Sequence, residues 1–111
     1  MRTTVTSATS SGESPMPGQG SPWHLYVLQC RDGSLYTGVT NDLQRRVTQH
    51  NTGKGAKYTR GRGPCTLVVS WEVGDKSTAL RLEHRFKRLK RFQKFSCLSL
   101  DLFGLLSVIE P

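Results

Sequence analysis

The feature that most constrains this chain is a β-hairpin signal that begins at residue 24. The side chains of residues 24–30 alternate between two faces, as they do in a strand. One face carries Leu25, Val27 and Gln29, and the other carries Tyr26, Leu28 and Cys30. Residues 31–34 contain the Asp-Gly dipeptide typical of hairpin turns, and residues 35–39 return as a second strand. The fold must therefore accommodate two antiparallel strands joined by a tight turn.

Two helices and a third strand are predicted after the hairpin. Asn41 and Asp42 cap a helix over about residues 41–51, and a glycine ends it. Residues 66–72 are rich in β-branched and aromatic side chains and predict a strand. A second helix over about residues 76–94 has an apolar stripe formed by Ala79, Leu82, Phe86 and Leu89. This order predicts a small α/β domain of the α+β kind, with a three-stranded antiparallel sheet flanked by helices.

Composition divides the chain into three parts. Residues 1–22 lack Leu, Ile, Phe, Trp and Tyr, so they cannot bury enough apolar surface to offset ordering and are expected to be a disordered tail. Both Met1 and Met16 are possible translation starts. Residues 23–94 form the predicted domain, and residues 95–111 are an apolar C-terminal extension, expected to be a short helix or a packed segment.

Positive charge is concentrated in the predicted domain. The whole chain has a net charge of +8, whereas residues 23–94 hold fifteen bases and five acids, a net charge of +10. Lys and Arg displace the counterions condensed on a phosphate backbone, so this excess favours a polyanion as partner. Solubility alone is the alternative explanation.

Disulfide scaffolds, zinc sites and membrane spans are all disfavoured. Cys30, Cys65 and Cys97 cannot all pair internally and lack metal-site spacing, which predicts reduced thiols in a cytoplasmic protein. The longest apolar segment, residues 98–109, is interrupted by Asp101 and is shorter than the roughly 18 residues that a membrane-spanning helix needs.

Several residues have side chains that packing does not require. Tyr26 and Tyr36 lie on neighbouring strands, where both phenols can point to one face, although tyrosines are common in strands. Gly38 allows a close approach of the backbone. Arg46 and His50 are one turn apart beside the apolar face of the first helix. Arg46 can aim its guanidinium at a phosphate, whereas His50 can equally be a half-buried packing residue.

Glu83 is the sole acid in the predicted second helix. A pair with Lys87, four residues later, would stabilise that helix slightly. The functional alternative is a carboxylate that binds a divalent metal ion, whose other positions are filled by water and phosphate oxygens. An arginine, a carboxylate and one or two phenols are a sufficient set for phosphodiester hydrolysis.

The order of these residues resembles the GIY-YIG nuclease domain. The first signature triplet reads His24-Leu25-Tyr26 and the second reads Tyr36-Thr37-Gly38, with Arg46 and Glu83 following in order. The basic, glycine-rich residues 53–64 and the later residues 79–83 are similar to the small single-domain branch of that superfamily. The resemblance covers roughly residues 23–94, and its motifs are specific in combination.

The resemblance implies a metal-dependent DNA endonuclease with one Mg²⁺ or Mn²⁺ bound by Glu83. Tyr36 would be the general base or water activator, Tyr26 would orient water, Arg46 would hold the scissile phosphate, and His50 would assist proton transfer. An ordinary tyrosine has a pKa near ~10, so the role of base requires that pKa to be lowered by Arg46 or the metal.

The resemblance also implies contacts between basic side chains and the nucleic-acid backbone. Such contacts position the nucleic acid but do not recognise its base sequence. The candidates are Lys54, Lys57, Arg60, Arg62, Arg85 and Arg88. A domain of this kind is expected to act on DNA structures or ends in repair or recombination, to be weakly specific, or to depend on a protein partner.

Two functions of other classes stay open at the level of sequence. One is a nucleic-acid-binding module with lost or weak catalysis, which would bind in a salt-sensitive manner without cleaving. The other is a protein-interaction domain that uses the apolar C-terminal extension.

Overall fold

The computed structural model describes residues 21–52 and 62–110 and confirms the predicted fold class. Most of the predicted N-terminal tail, residues 1–20, lies outside the described residues. The described elements are β1 (Trp23–Gln29), β2 (Leu35–Thr40), α1 (Leu43–Asn51), β3 (Thr66–Gly74), α2 (Lys76–Lys87), α3 (Arg91–Cys97) and α4 (Leu102–Ile109).

The three strands form one antiparallel sheet in the order β2-β1-β3, so β1 is the central strand. The predicted turn between β1 and β2 is present. Gly33 has a φ of +85°, a conformation that glycine adopts without a Cβ clash. The amide of Cys30 donates to the carbonyl of Ser34 at 2.8 Å and closes the hairpin. This hairpin places Tyr26 of β1 directly opposite Gly38 of β2.

Both faces of β1 are buried, which explains why this strand has apolar or aromatic residues on each side. Leu25 and Val27 pack with Leu82 and Phe86 of α2 and with residues of α4. On the opposite face, Tyr26 and Leu28 pack against Leu43 and Val47 of α1, as well as Tyr36. The alternation predicted from sequence is therefore confirmed, and each face of the sheet is covered by a different part of the chain.

Aspartate side chains begin two of the helices that flank the sheet. The carboxylate of Asp42 accepts from the amide of Arg45 at 3.2 Å at the start of α1. Asp75 does the same for the amide of Thr78 at 2.7 Å at the start of α2. These caps satisfy amides that have no partner within the helix, and they confirm the two predicted helix starts.

The single helix predicted over residues 76–94 is wrong in length, because α2 ends at Lys87 and α3 starts at Arg91. Between them Lys90 is extended, and its amide donates to the side chain of Gln93 at 2.9 Å. The break redirects the chain so that Cys97 of α3 reaches the core formed with Phe86. None of the helices within residues 21–52 and 62–110 combines the length and apolarity that crossing a membrane requires.

The three cysteines are buried free thiols. The Sγ atoms of Cys30 and Cys65 are 3.0 Å apart beneath the end of β1. Burial, followed by the neighbouring Cys30 thiol, raises the pKa of Cys65 to about 12, and burial also raises the pKa of Cys97. Cys65 and Cys97 therefore stay protonated, and all three buried cysteines pack as small apolar groups.

The predicted C-terminal extension is part of the core. Residues 95–110 include the end of α3 and all of α4, in which Leu105 is 0% exposed and Phe103 is 83% exposed. We expect Leu105→Ala to lower the free energy of unfolding by about 2–5 kcal/mol, because it removes buried methyl groups and leaves a cavity.

The matched control is Phe103→Ala, which we expect to change stability by no more than about 0.5 kcal/mol. Urea unfolding followed by circular dichroism measures both. Equal effects of the two substitutions would contradict the packing of α4 against the sheet.

Candidate active site

Two tyrosines lie side by side on one face of the β1–β2 hairpin. Tyr26 belongs to β1 and Tyr36 to β2, and their ring centroids are 6.4 Å apart. Tyr26 is almost fully buried, whereas Tyr36 is partly exposed. The two phenols predicted from sequence to share a face therefore do so, and Tyr36 is the more accessible of the two.

Gly38 makes room for the ring of Tyr26. A Cβ atom on Gly38 would lie 2.6 Å from the hydroxyl oxygen of Tyr26 and 2.8 Å from the ring carbon that bears it. Real Cβ atoms essentially never approach another atom this closely. The sequence expectation of a close approach at Gly38 is confirmed, and the approaching group is the tyrosine opposite it.

The first helix adds a guanidinium and an imidazole to the tyrosines. His50 is only 2% exposed, and its Nε2 atom lies 3.0 Å from the hydroxyl oxygen of Tyr26. Its ring centroid is 4.8 Å from that of Tyr36. Arg46, one turn earlier, donates to Oε1 of Gln49 at 3.0 Å, and both tyrosines lie close enough to influence its charge. The structure therefore brings four of the predicted site residues into one cluster.

Burial keeps two members of this cluster neutral. Burial raises the pKa of Tyr26 to about 12, against the opposing influence of its hydrogen bond from Arg46. Burial, together with the positive charge of Arg46, lowers the pKa of His50 to about 4. At neutral pH the phenol keeps its proton, and the neutral imidazole has one unprotonated ring nitrogen. The hydroxyl of Tyr26 can therefore donate to Nε2 of His50.

Arg46 keeps its positive charge at this face of the sheet. Partial burial lowers its pKa, but the hydrogen bonds and charges of Tyr26 and Tyr36 outweigh that effect, and the net shift is upward. The hydrogen bond to Gln49 restricts the direction of this guanidinium, which lies near both phenols. Its planar fork of donors matches the oxygens of a phosphate.

The acidic side chain comes from α2. The side chain of Glu83 is 19% exposed, and its Oε2 atom lies 3.2 Å from Nζ of Lys87. The same ammonium lies 6.0 Å from the ring centroid of Tyr36, and the charge of Glu83 acts on Tyr26. The intrahelical pair considered from sequence is therefore present, and it stands beside the tyrosines rather than away from them.

Lys87 is the residue of this cluster that sequence reasoning did not assign to the site. The signal was present, because Lys87 follows Glu83 by four residues and had been weighed as its partner. What the sequence did not show is that one ammonium would meet both the carboxylate and the ring of Tyr36.

The donor set fits a metal site with a single protein carboxylate. Among residues 21–52 and 62–110, no group of three or more His, Cys, Asp or Glu side chains could hold a metal ion together. Mg²⁺ characteristically keeps several water molecules and binds through one or two carboxylates and substrate phosphates. Glu83 is the residue that would hold such an ion, since its charge acts on Tyr26 and its partner Lys87 lies beside the ring of Tyr36.

The predicted nucleic-acid contacts are more dispersed. Lys54, Lys57 and Arg60 lie outside the described residues. Arg62 pairs with Asp32 at 2.7 Å, and Arg85 pairs with Glu110 at 3.1 Å.

Two of these basic residues lie on α2 or at its end. Arg85 follows Glu83 by two residues, about 200° around the helix, so it lies away from the cluster. Arg88 is exposed at the end of α2. Contacts of these side chains with nucleic acid stay predictions.

The buried imidazole of His50 predicts a pH dependence of stability. Its pKa is about 4 in the folded chain and 6.5 by its ordinary value, so the unfolded chain binds more protons between these limits. The neutral imidazole of His50 therefore contributes fully to the stability of the folded chain above pH ~6.5, and this contribution is lost as the pH falls toward ~4. We expect His50→Gln to reduce the loss of unfolding free energy between pH 7 and pH 4.5 by about 2 kcal/mol.

Urea unfolding at the two pH values measures this difference for both proteins. His24 also has a pKa lowered by burial, so it contributes a loss that is common to both. An unchanged pH dependence in His50→Gln would show that His50 is not held neutral in the folded chain.

Comparison with known proteins agrees with this geometry. Residues 22–96 match the GIY-YIG catalytic domain family. A UPF0213 protein of Yersinia enterocolitica is 49% identical over 90 residues, which are 81% of this chain and 93% of that protein. A UPF0213 protein of Yersinia pestis is 57% identical over 74 residues, which are 67% of this chain and 78% of that protein.

A solved structure supports the same assignment. The solution NMR structure of the protein EF2693 from E. faecalis is 40% identical in sequence, with a TM-score of 0.52. The similarity covers 81% of this chain and 93% of that one. The resemblance noted from sequence is thereby confirmed, and the chain belongs to the GIY-YIG domain family, together with the UPF0213 proteins.

Proposed function

We propose that this protein hydrolyses phosphodiester bonds of nucleic acid in a metal-dependent reaction, as a DNA endonuclease. The observation that supports this most strongly is the convergence of two phenols, a guanidinium and a carboxylate from four elements. The membership in the GIY-YIG family supports the same reaction class.

In the proposed reaction, Arg46 holds the non-bridging oxygens of the scissile phosphate. Its guanidinium is restricted by the hydrogen bond to Gln49 and lies near the two phenols, so little ordering is required when the phosphate arrives. The negative charge on these oxygens increases as water attacks the phosphorus atom. A fixed cation at that position stabilises the transition state more than the bound substrate.

The two tyrosines take different roles. Tyr36 is partly exposed, and we propose that it acts as a phenolate whose own proton has passed to solvent. Its oxygen takes a proton from the attacking water as the water oxygen bonds to phosphorus. The bond from phosphorus to the leaving oxygen then breaks, and the leaving oxygen takes a proton from solvent.

Tyr26 is buried with a raised pKa, so it keeps its proton at neutral pH and serves to orient its neighbours. We propose that His50 accepts a hydrogen bond from the hydroxyl of Tyr26 and fixes its direction. This is a more limited role than the assistance in proton transfer that the sequence resemblance implied.

Glu83 would bind Mg²⁺ or Mn²⁺ beside these groups. A divalent ion supplies charge stabilisation at the phosphate oxygens when it is bound. Contacts with phosphates position the nucleic acid without recognising its base sequence. We therefore propose that the enzyme is weakly specific or recognises DNA structure. We propose that it acts in repair or recombination, in the cytoplasm. The net charge of +10 over residues 23–94 supports binding of a polyanion.

The proposal predicts that cleavage depends on Arg46 and Glu83. With Mg²⁺ or Mn²⁺ present, Arg46→Ala and Glu83→Gln are each expected to lower the cleavage rate by about 100-fold or more, since each removes a group that stabilises developing charge. The measurement is single-turnover cleavage of a panel of branched, single-stranded and duplex DNA.

Arg45→Ala is the matched control, because Arg45 is the exposed neighbour of Arg46 on the same helix. It should retain the rate of the unmodified protein. Equal cleavage by all of these proteins would indicate a contaminating nuclease and would contradict the proposal. Salt-sensitive binding with no metal-dependent cleavage would instead identify a binding module.

A further inference from the structure

The ammonium group of Lys87 lies near both Glu83 and Tyr36. Its Nζ atom lies 3.2 Å from Oε2 of Glu83 and 6.0 Å from the ring centroid of Tyr36. The residue lies one helical turn after Glu83, so both side chains project from the same face of α2. A single ammonium therefore meets the carboxylate and the face of the aromatic ring.

The acidic member of this pair is partly shielded from solvent. The side chain of Glu83 is 19% exposed, whereas that of Lys87 is 50% exposed. Glu110 is shielded to a similar degree, at 24%, in its pairs with arginines of α2, but the Glu83–Lys87 pair also lies beside the ring of Tyr36. The carboxylate of Glu83 is mostly withdrawn from solvent, so the cation beside it is its main partner for charge. The ammonium remains attached to a flexible chain that reaches solvent.

We propose that Lys87 is the resident counter-cation of Glu83 and must leave the carboxylate before a divalent metal ion can bind there. This inference rests on the proposed function, in which Glu83 is the metal-binding carboxylate. It assigns to Lys87 the role of a positioning residue that sets metal affinity and leaves the hydrolytic steps to other side chains.

The reason is that two cations compete for one carboxylate. A Mg²⁺ ion bound to an oxygen of Glu83 would lie about 2.1 Å from it. An ammonium that stayed 3.2 Å from the same carboxylate would then lie within a few ångströms of a doubly charged ion. Repulsion at this separation is large in a partly shielded site. The half-exposed lysine can relieve it by rotating into solvent, at the expense of its contacts with Glu83 and Tyr36.

Metal affinity in the absence of nucleic acid tests this inference directly. Free Mn²⁺ measured by electron paramagnetic resonance gives the Kd for the unmodified protein and for Lys87→Met, Lys87→Arg and Glu83→Gln. We expect Lys87→Met to tighten Mn²⁺ binding by about 5-fold or more, because it removes the competing charge. Lys87→Arg keeps a cation at the same place and should remain within about 2-fold of the unmodified protein.

Lys76→Met is the matched control for general electrostatics. It removes the same charge from the same helix, but it lies about 10 Å along the axis from Glu83, near the screening length of ~0.1 M salt. Its effect on Mn²⁺ affinity should be less than about 2-fold. Thermal unfolding of each variant establishes that it is folded, and the conservative arginine variant provides a second comparison.

The outcomes separate this inference from the proposed function. Tighter Mn²⁺ binding by Lys87→Met, absent in Lys76→Met and abolished by Glu83→Gln, supports the competition. Equal affinity of Lys87→Met and the unmodified protein, with binding still abolished by Glu83→Gln, overturns the role of Lys87 and leaves the metal site intact. Mn²⁺ binding that is unaffected by Glu83→Gln overturns both.

Discussion

The contact between Tyr26 and Gly38 is the constraint on which the site depends. The buried ring of Tyr26 lies over the one residue of β2 that has no side chain to displace it, at a spacing that no Cβ could share. From this position its hydroxyl reaches His50 and Arg46 on α1. One side chain therefore connects the two strands of the hairpin to the helix that follows them, and it lies near the guanidinium that we propose binds the phosphate.

Function in this domain follows from the different electrostatic environments of similar groups. Burial keeps Tyr26 and His50 neutral, so they hold positions, while Arg46 remains charged beside the more accessible Tyr36. The carboxylate of Glu83 comes from α2, where Lys87 pairs with it. In the proposed function, this arrangement binds a phosphodiester through charges that are in place before the substrate arrives, while much of the remaining fold buries the opposite face of the sheet.

The sequence predicted the hairpin and the sheet, because each rests on local signals of alternation and turn chemistry. Spacing also singled out Tyr26, Tyr36 and His50, which the structure places together. It could not predict the break at Lys90, since no glycine or proline marks it and the reason lies in the distant packing of Cys97 and Leu105 against the core. Equally, the meeting of Lys87 with the ring of Tyr36 depends on how α2 crosses β2. Such contacts between distant elements are set by tertiary packing rather than by local pattern.

A double-mutant cycle of Gly38→Ala and Tyr26→Leu tests the central contact most directly. Gly38 lacks a positive φ, so alanine should be disfavoured there mainly because its Cβ meets the phenol of Tyr26, with a lesser contact of 3.1 Å to Cε2 of Tyr36. We predict that Gly38→Ala lowers the free energy of unfolding, measured in urea, by about 1–3 kcal/mol, and that Tyr26→Leu removes at least about 1 kcal/mol of this penalty. Additive effects within about 0.5 kcal/mol would contradict the account, because Gly38 would then be required for a reason other than Tyr26.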